Sequence, residues 1–257
     1  AGLNYAVILS GGTGSRMSGL DVPKQYYQVG GRSILSYCAE HVSCLNAMAG
    51  YVIVAAETWR DAILDEFADL AAQCPAIREK LYGFADPGEN RQESVLHGLY
   101  ALRDRTEESD VVLIQDAAIP LTSGELIERC LTAAGAQDAD GAMPVLPMKD
   151  TVYYSADGTR IDSLLEREKI LAGQAPEAFV YGKYLRAIER LSREELLKIN
   201  GSSEPAVMAG MRIALVPGDE GNIKITTAAD LKEFLRLTGE SGAQEDMSLS
   251  CHDGGDI

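Results

Sequence analysis

Short runs of consecutive apolar residues recur along the chain, and most are followed by stretches whose apolar positions fall three or four apart. Ala6-Val7-Ile8-Leu9, residues 51–56 (YVIVAA), Val111-Val112-Leu113-Ile114, residues 141–147 (GAMPVLP) and Ile213-Ala214-Leu215-Val216 are the runs. Each fits a strand covered on both faces, as in a parallel sheet. Between them, Ile34, Leu35, Tyr37, Cys38 and Val42 predict an amphipathic helix over 33–43. Ile63, Leu64, Phe67, Leu70 and Ala71 predict another over 61–73. Further helices are expected from 88 to about 102, from 181 to 191 and from 228 to 237. Strands alternating with helices indicate an α/β fold with a mostly parallel central sheet.

Residues 152–165 depart from that rhythm. Aromatic and β-branched residues flank Asp157-Gly158, the signature of a β-hairpin, and an exposed hairpin suggests burial against a partner subunit. Residues 75–84 carry no readable pattern, and 173–179 read as a loop. From Gly239 onward the chain is rich in Gly, Ser, Asp and Glu with no basic residue, which predicts a disordered acidic tail over 239–257. No repeat or linker divides residues 1–238, which are expected to form one domain.

The formal charge of −16, from 23 Lys+Arg against 39 Asp+Glu, argues against nucleic acid or an anionic membrane as partner. No apolar run approaches a membrane span, and the start lacks a basic and then apolar signal region, which favours the cytoplasm. Five scattered cysteines read as reduced thiols, and three distant histidines offer no metal-ligand spacing. In so acidic a chain, an anion site must be built from locally gathered cations.

One such place follows the first strand. Ser10-Gly11-Gly12-Thr13-Gly14-Ser15-Arg16 supplies glycines for a sharp turn and backbone N–H groups for phosphate, with Arg16 and Lys24 alongside. It is not a P-loop, which needs Lys-Ser/Thr after its last Gly. Nor is it a dinucleotide fingerprint, because Met17 stands where the third Gly belongs. A nucleoside triphosphate suits it better, and a nicotinamide oxidoreductase is a distant alternative. Gly88 to Val95 opens a helix with Arg91 and Ser94 on one face, suited either to a ligand or to capping. Asp116 lies just past an apolar strand, where ligands collect in open α/β sheets, and is a candidate Mg²⁺ ligand or a helix cap.

Taken in order, the Gly-rich loop ending Arg16-Met17, Pro23-Lys24-Gln25, Gly88 to Val95, Asp116-Ala117-Ala118, Lys149-Asp150-Thr151, Gln174-x-Pro176 and Asn222-Ile223-Lys224-Ile225-Thr226 resemble one family. It comprises the cytidylyltransferases that activate small polyol phosphates: 2-C-methyl-D-erythritol 4-phosphate and ribitol-5-phosphate cytidylyltransferases. The resemblance covers Asn4 to about Leu237. It implies a Rossmann-like three-layer nucleotidyltransferase fold, with a protruding β-hairpin arm at about 150–172 that joins a homodimer. It further implies CTP as one substrate, Mg²⁺ as cofactor, and a polyol phosphate or phosphonate as acceptor.

By position, the resemblance assigns Ser10, Gly11, Gly12, Gly14, Gly88 and Ser94 to CTP, with Leu9, Glu89, Arg91 and Ala117 beside them. Arg16, Lys24 and Lys224 would act on the phosphates, and Asp116 would hold the metal. Lys149, Thr151, Arg167, Ile119 and Ala175 occupy acceptor positions, with Arg167 reaching across the dimer. The spacing from Met17 to Pro23, the Gly173-Gln174 pair and the insert from Leu191 to Gly210 look more like the ribitol branch. Ribitol 5-phosphate is therefore the first expected acceptor and methylerythritol 4-phosphate the second. Three positions depart from the family: Ile119 replaces an Arg, Ala175 a Thr, and Ser203 an acidic residue. The alternative from another class is a nucleotide-binding protein retired from catalysis.

Overall fold

The computed structural model describes residues 2–12 and 21–240. In chain order, β1 (Asn4–Leu9) leads to a short ribbon of β2 (Gln28–Val29) and β3 (Arg32–Ser33), then α1 (Ile34–Ser43). Next come β4 (Met48–Val54), α2 (Glu57–Leu70), α3 (Ala76–Glu79), β5 (Leu81–Ala85), α4 (Arg91–Ala101), β6 (Val111–Asp116) and α5 (Gly124–Ala134). The second half contains β7 (Gly141–Pro147), β8 (Tyr153–Tyr154), β9 (Ser163–Leu164), β10 (Leu171–Gly173) and β11 (Glu177–Val180). It ends with α6 (Tyr181–Glu189), α7 (Arg193–Lys198), α8 (Glu204–Met208), β12 (Ile213–Pro217) and α9 (Ala228–Thr238).

Eight strands form the central sheet in the order β10-β7-β11-β6-β1-β4-β5, with β12 pairing β7. All pairings are parallel except those of β10 and β11, which run against their neighbours. Alternation along each strand sends side chains to two separate cores. Ala6 and Ile8 pack with Leu35, Phe67 and Ile127 on the face covered by α1, α2 and α5. Tyr5 and Val7 pack with Leu99, Tyr184 and Ile188 on the face covered by α4 and α6. Both faces are thus buried, which is why the strands read as unbroken apolar runs. Truncating a sealed side chain such as Phe67 or Phe179 costs about 3–5 kcal/mol in comparable cores.

A third cluster docks α9 through Leu231 and Phe234 onto Val29, Ile34 and Ile225. The ends of α9 are well defined. Thr227 and Asp230 form a reciprocal capping box at its start, and Gly239 closes it with φ of 79°.

Several local expectations need correction. The run at 51–56 is the second half of a longer strand that begins at Met48 and ends at Val54. The helix expected over 61–73 starts at Glu57, because Trp59 and Arg60 extend its first turn. Residues 75–84 hide the single turn of α3 and most of β5. Part of the loop expected at 173–179 is β11, inserted between β6 and β7. The hairpin is present, with Tyr153 opposite Leu164 and Tyr154 opposite Ser163. Cys44 and Cys74, expected as scattered thiols, stand side by side because α1 and α3 pack together. Cys38 and Cys130 are free and buried. The tail from 241 onward lies outside the described residues.

Candidate active site

The carboxyl ends of β1 and β6 lie side by side, since Leu9 pairs with Asp116 in the ladder. Beyond them two cavities open. The first, about 360 Å³, is lined by Leu9, Gly11, Gly12, Lys24, Gly88, Glu89, Ser94 and Ala117, among others. The second, about 460 Å³, is lined by Ile119, Met143, Gly173 to Ala175, Glu177, Asn200 to Ser203 and Asn222. Arg91, Asp116 and Lys224 line both. These three residues form the seam.

The first cavity is built by local bonding. Gln25 donates Nε2 to the carbonyls of Ser10 (2.9 Å) and Gly12 (2.7 Å), fixing the start of the glycine-rich loop. Tyr26 donates to the Ser10 carbonyl at 2.9 Å and stacks on Trp59. Ser94 accepts from the Gly88 amide at 2.9 Å and donates to the Asn90 carbonyl at 3.0 Å. Asn90 caps α4 by accepting from the Glu93 amide. The helix start is therefore both a cap and a cavity wall. A Cβ on Gly11 would strike Pro87 at 2.7 Å, and one on Gly88 would strike Glu93 at 2.5 Å, so close backbone approach excludes side chains there. Gly12 faces open space, leaving its backbone accessible to a ligand.

Asp116 is the electrostatic centre. Arg91 donates Nε (3.2 Å) and Nη2 (2.8 Å) to its Oδ1, and Lys224 donates Nζ to its Oδ2 at 2.7 Å. Burial opposes the charged form, but Arg91 and Lys224 outweigh it and hold the carboxyl below its ordinary value. Glu177 is different. Burial pushes its carboxyl up against the pull of Arg91, whose Nη2 is 4.0 Å from Oε2. Among the described residues, that Oε2 has no hydrogen-bond partner.

Three loops of the second cavity are stitched together by neutral side chains. Asn222 donates Nδ2 to the Ala175 carbonyl at 2.6 Å and accepts from Thr122 Oγ1 at 2.9 Å. Gln115 donates Nε2 to Thr122 Oγ1 at 3.1 Å and to the Ile119 carbonyl at 3.2 Å. Gln174 exchanges two hydrogen bonds with the backbone of Asp219. These bonds set where Lys224 stands relative to Asp116.

Of the residues singled out in the sequence, Leu9, Gly11, Gly12, Gly88, Glu89, Ser94, Ala117 and Lys24 gather in the first cavity. Ser10 does not line it; buried behind the wall, it bonds Tyr26. Gly14 and Arg16 lie outside the described residues. Ile119 and Ala175 line the second cavity, whereas Lys149, Thr151 and Arg167 do not. Lys149 pairs with Glu220 at the surface, and Arg167 donates to the Lys149 carbonyl within the same chain. Glu177, Asn200, Ser202 and Met143 carry no sequence signal and reach the cavity through β11, the turn before α8 and β7. Gln174 and Asn222 stand inside recognisable motifs.

No group of three or more His, Cys, Asp and Glu able to hold a metal occurs among the described residues. A cation carried in on nucleotide phosphates needs only one or two protein carboxylates. Asp116 fits that need, since its Oδ2, which accepts one bond from Lys224, keeps a second lone pair.

Comparison with known proteins agrees with this fold. The profile of the family described as IspD, 2-C-methyl-D-erythritol 4-phosphate cytidylyltransferase, matches residues 5–235. A 2-C-methyl-D-erythritol 4-phosphate cytidylyltransferase of Rubrobacter xylanophilus is 33% identical over 226 residues, covering 88% of this chain and 90% of that protein. A bifunctional IspD/IspF enzyme of Granulibacter bethesdensis is 36% identical over 234 residues, covering 90% of this chain. The chain spans only 55% of that bifunctional relative's length. The crystal structure of 4-diphosphocytidyl-2C-methyl-D-erythritol synthase from Anaerococcus prevotii shares the fold, with a TM-score of 0.75 at 24% identity over 93% of this chain and 96% of that one. Among the described residues, no helix is long and apolar enough to cross a membrane. With residues 5–235 matched by the family profile and a relative 33% identical over most of both chains, this chain belongs to the IspD family of cytidylyltransferases.

Proposed function

We propose that this protein transfers CMP from CTP to 2-C-methyl-D-erythritol 4-phosphate, releasing pyrophosphate. The observation that carries the reading is the seam of Arg91, Asp116 and Lys224 between two cavities, each of a size for one small substrate. The acceptor follows the relatives, which are named for methylerythritol phosphate. Ribitol 5-phosphate, expected first from the sequence, becomes the second reading. What favours it is the second cavity's wall, where the 191–210 insert contributes Asn200 to Ser203.

The chemistry needs no general base. A phosphate monoester is largely dianionic near neutral pH, so the acceptor is already a nucleophile. In-line attack on the α-phosphorus forms one P–O bond and breaks the bond to pyrophosphate, which leaves with the electron pair. The barrier lies in bringing anions together and in the charge that grows on the α-phosphoryl oxygens. Gly12 and its neighbours would hold the triphosphate by backbone N–H groups. Lys24, Lys224 and Arg16 would offset its charge, and Lys224 is half-exposed enough to turn from Asp116 to a phosphate. Mg²⁺ held by Asp116 and the phosphates would supply further charge neutralisation.

Burial in a second copy of the chain is proposed for the β8–β9 arm, which exposes Tyr153, Tyr154, Ile161 and Leu164 by more than half. In that dimer, Thr151 and Arg167 would serve the partner's acceptor cavity. We assign the protein to the cytoplasm, the compartment that holds CTP; there Cys44 and Cys74 would be kept as adjacent thiols.

The test is pyrophosphate release with CTP, Mg²⁺ and a panel containing methylerythritol 4-phosphate, ribitol 5-phosphate and glycerol phosphates. Turnover is expected on the first. Lys24→Ala and Lys224→Ala should each lower it by about 10²-fold or more, as loss of a transition-state charge contact does. Turnover on ribitol 5-phosphate alone would replace the acceptor, and normal turnover in both variants would sink the phosphate assignments.

A further inference from the structure

One buried carboxyl beside the seam has no part in the transfer chemistry. Glu177 begins β11 with 9% of its side chain exposed, and among the described residues its Oε2 has no hydrogen-bond partner. A sealed carboxyl oxygen left unbonded is unfavourable, so its retention calls for a partner in some other state of the site. The cation beside it is Arg91, whose Nη2 stands 4.0 Å from Oε2. That is too far for a hydrogen bond, and a movement of about 1 Å would close it.

Arg91 has a reason to move. Its Nε and Nη2 both donate to Oδ1 of Asp116, while Lys224 donates to Oδ2. Both oxygens of the candidate metal ligand therefore already face cations. Lys224 is half-exposed and can turn to a phosphate. Arg91 has no such exit: its side chain is mostly covered, and its Nη1 is bonded to the fully buried Ser202. A guanidinium has five N–H groups. Two serve Asp116 and one serves Ser202, which leaves a second N–H on Nη2 for Oε2.

We propose that Glu177 is a positioning residue that takes over Arg91 when Asp116 turns to a divalent cation. The inference rests on the reading of Asp116 as a ligand of the nucleotide-borne metal and adds a residue to it. Ser202 is the pivot: Nη1 stays on its hydroxyl while Nη2 passes from Oδ1 of Asp116 to Oε2 of Glu177. Asp116 then offers its charge to the cation instead of sharing it with a guanidinium. Arg91 stays at the seam, still paired and still buried. Burial raises the Glu177 carboxyl, and a bonded guanidinium would offset that penalty.

The experiment uses the full chain as wild type, Glu177→Gln, Glu177→Leu, Asp116→Asn and the variant carrying both Glu177→Leu and Asp116→Asn. CTP affinity is read by calorimetry twice, without divalent cation and with saturating Mn²⁺, and the ratio measures what the metal adds. Glu177→Leu should lower that ratio by about tenfold, the low end for losing a hydrogen bond to a charged group. Glu177→Gln keeps an accepting oxygen and should lower it by a smaller factor. Metal-free CTP affinity should stay within about twofold in both, which also shows that they fold. In the Asp116→Asn background, Glu177→Leu should change the ratio no further, because the two residues act on one guanidinium. Equal ratios in wild type and Glu177→Leu would overturn the proposal. So would a ratio untouched by Asp116→Asn, or a Glu177→Leu effect that persists in that background. An equal loss of affinity with and without Mn²⁺ would make Glu177 a static support and overturn it as well. If wild type turns over no acceptor while the ratios behave as expected, the cytidylyltransferase reading fails and the Glu177 assignment stands.

Discussion

Asp140, at the turn into β7, keeps only 8% of its side chain exposed and is bonded by Lys183 Nζ and by the backbone and side chain of Arg212. These bonds hold its carboxyl well below the usual carboxylate range. Because the folded-state pKa is depressed, the stabilisation is complete above the unfolded value of about 4 and is lost as pH falls from there toward the folded value. Asp140→Asn should therefore lower the melting temperature at pH 7 by an amount equivalent to ~1–3 kcal/mol, and the gap to wild type should narrow below about pH 4. Thermal denaturation across pH 3–8 checks both halves. Residues of this kind show the limit of reading a sequence. Asp116, Lys24 and Lys224 are legible because each follows a strand or stands in a recognisable motif. Glu177 and Ser202 are not, because nothing local marks them; they matter only through a guanidinium about 86 and 111 positions earlier in the chain.

Among the elements, the buried strands were the most legible, since covering on both faces leaves an unbroken apolar run. Short pieces were the least. β11 has four residues and follows a Gln-Ala-Pro loop, so its apolar content looks like the start of α6. α5 carries a helical signal, with Leu126, Ile127, Cys130, Leu131 and Ala134 on one buried face behind the cap Ser123. How elements hold the site is open to test through Asn222, which ties the β10–β11 loop to the segment bearing Lys224. Asn222→Asp keeps the shape but turns the donor facing the Ala175 carbonyl into a negative oxygen. The expected cost is ~1–3 kcal/mol, seen as a melting point several degrees lower. Turnover should fall more than CTP affinity does, because Lys224 shifts while the glycine-rich loop, braced separately by Gln25, does not.

For the whole molecule, the arm is the part proposed to be covered by a second copy of the chain. The two paired residues of β8 and β9 are exposed, and a ribbon so short is marginal in water without a partner. Replacing Tyr154 and Leu164 together by Glu should convert a dimer to monomers in sedimentation, leave the melting of the central sheet nearly unchanged, and raise acceptor KM. A wild-type monomer that is fully active would contradict this reading. The sheet also explains why the two cavities have largely separate walls outside the seam. β11 runs against β6, so Glu177 at its beginning stands near Asp116 at the end of its neighbour. The first cavity's wall thus draws on β1, α4 and β6, whereas the second adds β11, its preceding loop and the 191–210 insert to the shared seam. Substitutions in one set need not disturb the other. On the proposed reading, a lineage built on this sheet can exchange the polyol phosphate it activates while its nucleotide stays fixed, and a designer who randomised residues 174–176 and 200–203 would be searching acceptors.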